Sequence, residues 1–472
     1  MIRILNAHFP NRTLFLGVSE ACLVSLSFVA ASVAQLGAGN TSLLFSDNRG
    51  SLKIGVASVA FIVCMYYFDL YDSSILNNRR QVLVRLLQAL GTVYVLLALL
   101  YFFYPTLELG RGIFPMGFAI VLILLLLWRN LFSAINNVSH FSERALIVGD
   151  GPLVELLERE LESRLELGVR IVGHIAAHSS ESDYPEGDGS ARASASAEAI
   201  MCESLSRTVE LFRVNRIFIV MGERRGKLPV ELLLSLKCHG VLVQEGTEVY
   251  EAITGKVPIE SIRLSWLLFS PSCRASHSLL IKKRIADIFL SIVGLVLSLP
   301  LLPCIVLAIR LTSGRSVLYR QKRAGRDGVV FDCYKFRTMR PDAEADTGPT
   351  WAADDDPRIT PIGRFLRQSR MDEIPQLWNV LKGDMSLVGP RPERPEFVEA
   401  LVRDIPHYAL RQSVRPGITG WAQIRYKYGS SVEESKEKLR YDLFYLKNMS
   451  MGLDVFIFFS TLKVILLRRG AK

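Results

Sequence analysis

The sequence predicts a membrane-embedded α plus α/β protein. It comprises four N-terminal transmembrane helices, a Rossmann-like α/β domain, and a re-entrant membrane helix joined to a second α/β domain, with both α/β domains cytosolic. Three observations predict this. The chain is 50% hydrophobic over 472 residues, with four near-continuous apolar segments in its first third. Strand-like and helical runs then alternate through residues 144–260. A late apolar stretch is broken by two prolines and flanked by basic residues on both sides.

The four apolar segments cover about residues 14–36, 51–71, 82–104 and 113–132, each near the ~20 residues a spanning helix requires. Buried core helices are the alternative, but LLALLYFFY and AIVLILLLLW carry no polar face. A cleaved leader is a poor description of the first segment, because three more follow. Arg3, Arg12, Arg79, Arg80, Arg85, Arg129 and Arg144 mark one side of the membrane; Arg49, Lys53 and Arg111 are the sparse charges of the other. The N-terminus and everything beyond residue 133 are therefore expected in the cytoplasm.

Residues 144–262 form the α/β domain: RALIVG, RIVGHIA, RIFIVMG and VLVQEG read as strands, and the stretches near 153–166, 197–212 and 228–239 read as helices. Residues 178–196, rich in Ser, Ala, Gly and acids, read as an insertion. The turn Gly149-Asp150-Gly151 is a partial dinucleotide-binding loop with Val154 in place of the third glycine. GERRGK at 222–227 is one residue short of a P-loop, with Leu228 where a hydroxyl would hold Mg²⁺. The residues favour a structural or regulatory Rossmann-like domain over nucleotide binding.

After a Ser-rich linker at 270–278, an uncharged run of 22 residues spans 288–309. Pro300 and Pro303 interrupt it, with Ser298 at the start of the break. Lys282, Lys283 and Arg284 precede it; Arg310, Arg315, Arg320, Lys322 and Arg323 follow, so both ends belong on the same side. A straight fifth span would put one basic flank on the wrong side. The expected element is a re-entrant helix over about 285–309. Asp287, beside Lys283 and Arg284, reads as an anchoring ion pair at headgroup depth.

The run RMDEIPQLWNVLKGDMSLVGPRP at 370–392 is the most informative. Ile374, Leu377, Trp378 and Leu381 make one apolar stripe of a helix, and Lys382-Gly383 ends it. Pro375 is tolerated only in the first turn, which puts Asp372 and Glu373 at the N-terminus, where negative charge is favoured. An isolated Asp-Glu pair usually does no more than cap a helix. Here, Lys335, Arg337, Arg364, Arg367, Arg391 and Arg415 supply cations suited to a diphosphate. Pro390 and Pro392 restrain the backbone around Arg391. Asp354, Asp355 and Asp356, followed by Pro357, read as a solvated turn rather than a DxD metal site. Lys436, Glu437, Lys438 and Arg440 read as a solvated helix face. The stretch 453–466 can lie on the membrane surface or pack in the core.

Formal net charge is +10, and eight of those charges fall within residues 281–430. This suits anionic lipid or a diphosphate. No basic–aromatic interleaving or zinc-finger spacing points to nucleic acid. Seven scattered cysteines without a CxxC pair fit reduced thiols, and seven histidines form no ligand pattern.

From about residue 276 to 470, the motifs VFDCYKFRTMR, DDDPRITPIGRFLR, RMDEIPQLWNVLKGDMSLVGPRP and SVRPGITGWAQIRY resemble the polyprenyl-phosphate glycosyl-1-phosphate transferases, the bacterial sugar transferase family. The resemblance implies a catalytic domain at 276–472 in the bacterial inner membrane. It implies transfer of a sugar-1-phosphate from a UDP-sugar to undecaprenyl phosphate, with release of UMP, as the first membrane step of exopolysaccharide or O-antigen synthesis. Asp372 would be the nucleophile and Glu373 its assistant. Both would lie at a Mg²⁺ ion, with Pro390-Arg391-Pro392 on the nucleotide. Glucose or galactose is the expected sugar. Oligomeric state is left open, a homodimer included. Two rivals compete. A nucleotide-sugar dehydratase or epimerase would need a Tyr-x-x-x-Lys pair, which none of the 15 tyrosines provides. A catalytically inactive membrane scaffold would not need the intact run 370–392.

Overall fold

The computed structural model describes residues 2–4, 7–9, 11–47, 50–72, 79–110, 112–136, 143–164, 167–176, 190–221, 228–261, 276–313, 316–340, 356–426 and 431–466. It divides into two compact units, essentially residues 9–245 and 246–472.

In the first unit, the four apolar segments are helices α1 (Asn11–Asp47), α2 (Gly50–Tyr67), α3 (Arg79–Phe103) and α4 (Ile113–Asn136). All four are long and apolar enough to cross a membrane. α1 breaks at Gly37, whose φ of 78° is a glycine conformation. Phe28, Phe61, Leu97 and Val121 pack in the centre of the bundle, whereas Val18, Val63, Leu99 and Leu127 face outward. That inverted pattern suits lipid. Arg129 Nε and Glu20 Oε1 form a buried pair 2.7 Å apart, and Arg129 also donates to the Leu70 carbonyl at 2.9 Å. The charges are thus spent on each other within the bundle.

A four-stranded parallel sheet follows, from β1 (Glu143–Gly149), β2 (Val169–Ile175), β3 (Arg216–Val220) and β4 (Leu242–Glu245), in the order β2-β1-β3-β4. Helices α5 (Pro152–Ser163), α6 (Ser190–Phe212) and α7 (Val230–Cys238) make the crossovers, the doubly wound pattern expected. Two details differ from the sequence reading. α6 starts inside the stretch read as an insertion. The Gly149 turn is closed by the β3 backbone, since a Cβ there would collide with the Val220 carbonyl oxygen. The GERRGK run lies outside the described residues.

The second unit begins earlier than the sequence suggests. The strand–helix alternation extends the sheet domain to residue 262, yet residues 246–261 pack with the C-terminal helices. α8 (Gly246–Thr254) and the turn after it add Val257 and Ile259 to the same core as Trp421, Phe444 and Tyr445. The indole of Trp421 donates to the Gly255 carbonyl at 2.8 Å. Four ion pairs tie the segment to α15 (Val432–Asn448): Lys256–Glu437, Lys447–Glu251 at 2.7 Å, Arg440–Glu260 at 2.6 Å and Lys436–Glu260 at 2.8 Å. The face read as solvated is therefore a docking face.

Helix α9 (His277–Ser298) and α10 (Leu302–Ser313) meet at a 67° bend. Pro300 lies in the turn, and Pro303 falls in the first turn of α10, where no backbone N–H is needed. Ser298 caps the break by donating to the Leu295 carbonyl at 2.8 Å. At 12 residues, α10 is too short to cross a bilayer alone. Ile285, Phe289, Val296, Leu297, Leu307 and Leu311 point outward, while Asp287, Ser291 and Ser298 are buried. Gly294 lets this face approach Leu377; a Cβ would sit 3.0 Å from its Cδ1.

Lys283, Arg284 and Asp287 do not pair with one another, which corrects the anchoring ion pair. Lys283 Nζ meets Asp454 Oδ2 at 2.6 Å and the Val388 carbonyl at 2.8 Å. Arg284 forks onto the carbonyls of Val380 and Leu381 at 2.5 and 2.7 Å, at a helix C-terminus where cations are favoured. Asp287 accepts the Leu387 amide at 3.0 Å. Buried polar groups need such partners, and these three dock the membrane helix onto the rest of the second unit.

The remainder is an antiparallel hairpin, β5 (Leu318–Ala324) and β6 (Val330–Phe336), and a short parallel pair, β7 (Ser386–Val388) and β8 (Gly417–Thr419). α11 (Pro361–Gln368), α12 (Gln376–Lys382), α13 (Pro395–Asp404), α14 (Trp421–Arg425), α15 and α16 (Met451–Leu466) surround them. α16 buries Leu453 and Ile457 and leaves Val455 and Phe459 outward, so it packs in the core on one face only.

Candidate active site

Asp372 and Glu373 lie in a single 3₁₀ turn, Met371–Glu373, just before α12. Arg370, immediately upstream, holds a left-handed conformation with φ 58°, unusual for a non-glycine residue. α12 begins after Pro375 and stops at Gly383, φ 99°, as the sequence predicts. The apolar stripe is only half-buried, however, with Ile374 and Leu377 at the margins of two apolar clusters. Trp378 is 59% exposed and Leu377 meets the membrane helix, whereas Gln376, Asn379 and Val380 are buried.

The polar face does the positioning. Asn379 accepts the Tyr334 amide at 3.1 Å and donates to the Asp332 carbonyl at 2.7 Å. It therefore clamps α12 to strand β6 on both sides of Cys333, just before Lys335. Sequence reading misses Asn379; its only signal is a short polar residue amid a helix, which the apolar stripe outweighs.

Both acids are buried, but their surroundings differ. Glu373 Oε1 takes Arg391 Nη2 at 3.0 Å, Lys335 Nζ at 3.6 Å and Arg370 Nη1 at 3.6 Å. Burial would raise its pKa, but the charges of Arg391, Lys335 and Arg370 outweigh burial and hold it well below the usual carboxylate range. Asp372 Oδ1 is buried with no hydrogen-bond partner among the described residues. Burial first, and the neighbouring Glu373 charge second, push Asp372 up against the pull of Lys335, Arg367 and Arg370. One acid is thus fixed as an anion, and the other is left open and more basic. Such an asymmetry is what a nucleophilic carboxylate and a supporting one require.

The cations sort unevenly. Lys335, Arg367 and Arg391 gather at the pair, and burial lowers the pKa of both Lys335 and Arg367. Arg367 also donates to Thr338 Oγ1 at 3.0 Å. Arg337 keeps a buried Nε without a hydrogen-bond partner among the described residues. Arg364 is exposed on α11. Arg415 lies instead by Arg284, Arg326 and Asp287, whose charges act on it. Pro390, Arg391 and Pro392 border a pocket shared with Gln412 and Val414. Asp354 and Asp355 lie outside the described residues. Asp356 is neither a solvated turn residue nor a metal ligand: it is buried and paired with Arg358 at 2.6 Å.

Among the described residues, no three His, Cys, Asp or Glu side chains gather to hold a metal. Mg²⁺ commonly takes one or two carboxylates and completes its shell with water and substrate phosphate. The open Oδ1 of Asp372 fits that role; Glu373, engaged by three cations through Oε1, fits it less well.

Residues 278–468 match the bacterial sugar transferase family, and residues 66–239 match a CoA-binding domain. The chain is 40% identical over 228 residues to the UDP-N-acetylgalactosamine-undecaprenyl-phosphate N-acetylgalactosaminephosphotransferase of Aeromonas hydrophila, covering 48% of this chain and 52% of that protein. It is 43% identical over 181 residues to the UDP-glucose:undecaprenyl-phosphate glucose-1-phosphate transferase of Escherichia coli (strain K12), covering 38% and 39%. The chain thus spans about half or less of the length of these two relatives. A shorter Bacillus subtilis (strain 168) protein, named "Putative undecaprenyl-phosphate N-acetylgalactosaminyl 1-phosphate transferase", is 46% identical over 129 residues, which cover 27% of this chain and 72% of that protein. An acid pair split into an open and a clamped carboxylate beside a bent membrane helix is in keeping with these matches. The chain belongs to the bacterial sugar transferase family, the polyprenyl-phosphate glycosyl-1-phosphate transferases.

Proposed function

We propose that the protein transfers a sugar-1-phosphate from a UDP-sugar to undecaprenyl phosphate through a covalent aspartyl intermediate. The observation that carries this reading is the open, buried carboxylate of Asp372 beside a Glu373 neutralised by three cations. A carboxylate oxygen of Asp372 attacks the sugar-bearing phosphorus, the bond to the UMP oxygen breaks, and UMP leaves with the electron pair. An oxygen of undecaprenyl phosphate then attacks the same phosphorus and displaces Asp372, giving undecaprenyl diphosphosugar. Splitting the exchange lets two anionic substrates use one site in turn.

Lys335, Arg367 and Arg391 bind and orient the diphosphate, and Arg337 offers its unpaired Nε. Glu373 holds Lys335 and Arg391 in place between turnovers. Mg²⁺, held through Asp372, would neutralise phosphate charge. The bent pair α9–α10 enters and leaves on the cytosolic side of the inner membrane, so the acids stay where a soluble donor and a lipid carrier both reach them. Glucose or galactose phosphate is the proposed cargo, in the first membrane step of exopolysaccharide or O-antigen assembly.

Full-length protein in nanodiscs, given a panel of UDP-sugars with and without undecaprenyl phosphate, tests this. UMP should appear with one donor class and become catalytic only with the lipid; Asp372→Asn should release none. A scaffold would release no UMP from any donor, and an active Asp372→Asn variant would end the covalent scheme.

A further inference from the structure

The loop that carries Arg391 cannot be held by ordinary sheet pairing, because Pro390 and Pro392 on either side of Arg391 lack N–H groups. Its carbonyls are nevertheless all engaged. Gly417 donates to Pro390, and Ala324 to Glu393, each at 2.9 Å from the backbone. Arg323 donates to the Pro392 carbonyl at 2.9 Å. The carbonyl of Arg391 itself accepts Arg411 Nη2 at 2.9 Å. Arg411 is only 8% exposed, and its own fork is fixed from two sides, by Asp442 at 2.8 Å and by the Tyr408 hydroxyl at 2.6 Å. Asp442 is 2% exposed and sits on α15.

We propose that Arg411, with Asp442 as its counter-ion, is a positioning residue that aims Arg391 at the acid pair by fixing the Arg391 carbonyl. This rests on the reading of Arg391 as a working cation of the site. A buried ion pair is weak support for stability in itself, because desolvation offsets much of its attraction. Its effect here is directional: one planar group spans an aspartate, a phenol and a carbonyl at once. A lysine keeps the charge but not that fork.

The test is a double-mutant cycle on the full-length protein, with UMP release as readout, using Arg411→Lys and Arg391→Ala. If Arg411 acts through Arg391, Arg411→Lys lowers kcat/KM by about tenfold or more, and adds less than twofold in the Arg391→Ala background. Multiplicative losses, or an Arg411→Lys variant as active as the parent, overturn the proposal. Hydrogen exchange supplies a second reading independent of turnover. The amides of Gly417 and Ala324 should exchange at least tenfold faster in Arg411→Lys, with residues 441–446 unchanged. Uniform acceleration, or none, means a merely structural role and also overturns it. Should Arg411→Lys fail to fold, Asp442→Asn enters the same cycle with the same expectations. If the parent releases no UMP, the functional reading fails while exchange still decides the positioning.

Discussion

Arg391 Nη2 lies 3.0 Å from Glu373 Oε1, joining the proline-locked loop to the acid turn eighteen residues upstream. This bond, with Lys335 and Arg370, keeps Glu373 ionised at neutral pH, whereas Asp372 Oδ1 stays buried without a hydrogen bond among the described residues.

Removing that anion should act on both residues. Glu373→Gln strands three cations, and breaking a buried pair costs roughly 3–5 kcal/mol. The Glu373 charge also raises Asp372, so its loss should move the acidic limb of kcat/KM to lower pH. The sign for stability follows separately. A carboxylate held below its ordinary value of 4.5 stabilises the fold above that pH, and this is lost as pH falls below it. Acid unfolding of Glu373→Gln should therefore be shallower below pH 4.5, measured by circular dichroism.

Asp372 has the opposite linkage. Its folded pKa is raised above 3.8, so at neutral pH the ionised side chain costs stability, and protonation relieves that cost as pH falls. Asp372→Asn should be inactive yet melt a few degrees above the parent at pH 7, since relief of ~1 kcal/mol raises Tm by about 2–4 °C in a domain of this size. A lower melting temperature would contradict the open-carboxylate geometry.

Asn379→Ala leaves the Tyr334 amide and the Asp332 carbonyl without their partner. Each buried orphan costs about 1–3 kcal/mol. Because those groups fix the strand segment that leads directly into Lys335, KM for the donor should rise along with the fall in melting temperature, whereas Asn379→Gln should recover little of either. Steady-state UMP release checks this.

A re-entrant α9–α10 places both ends on one side. In a background lacking the native cysteines, Lys282→Cys and Thr312→Cys should both resist an impermeant maleimide in spheroplasts. Both should label in inverted vesicles. Labelling of one end from each side would mean a bent full span.

Much of this is legible in the sequence because the signals are local. Twenty-residue apolar runs, alternating strands and helices, Pro300 and Pro303 at a break, and Gly383 at a helix end each follow from their own neighbours. What the sequence hides depends on partners far along the chain. The stripe of Ile374, Leu377, Trp378 and Leu381 has core periodicity, yet it turns toward the membrane helix, where burial rules invert. Asp287 sits four residues from Lys283, so i,i+4 pairing is the natural reading; the Leu387 amide and Asp454, a hundred residues or more along the chain, outcompete it. Glu251 and Glu260 look like ordinary surface acids until α15 arrives.

The tie between residues 246–261 and α15 governs how this protein can be cut. A fragment begun at residue 276, where the recognisable motifs start, would lose the acceptor of the Trp421 indole and the anions facing Lys436, Arg440 and Lys447. One begun at 246 keeps them. In the fragment begun at 246, a cut between 262 and 275 should therefore leave a short peptide that stays bound and co-purifies, and expression trials that discard those sixteen residues remove part of the domain's own keel.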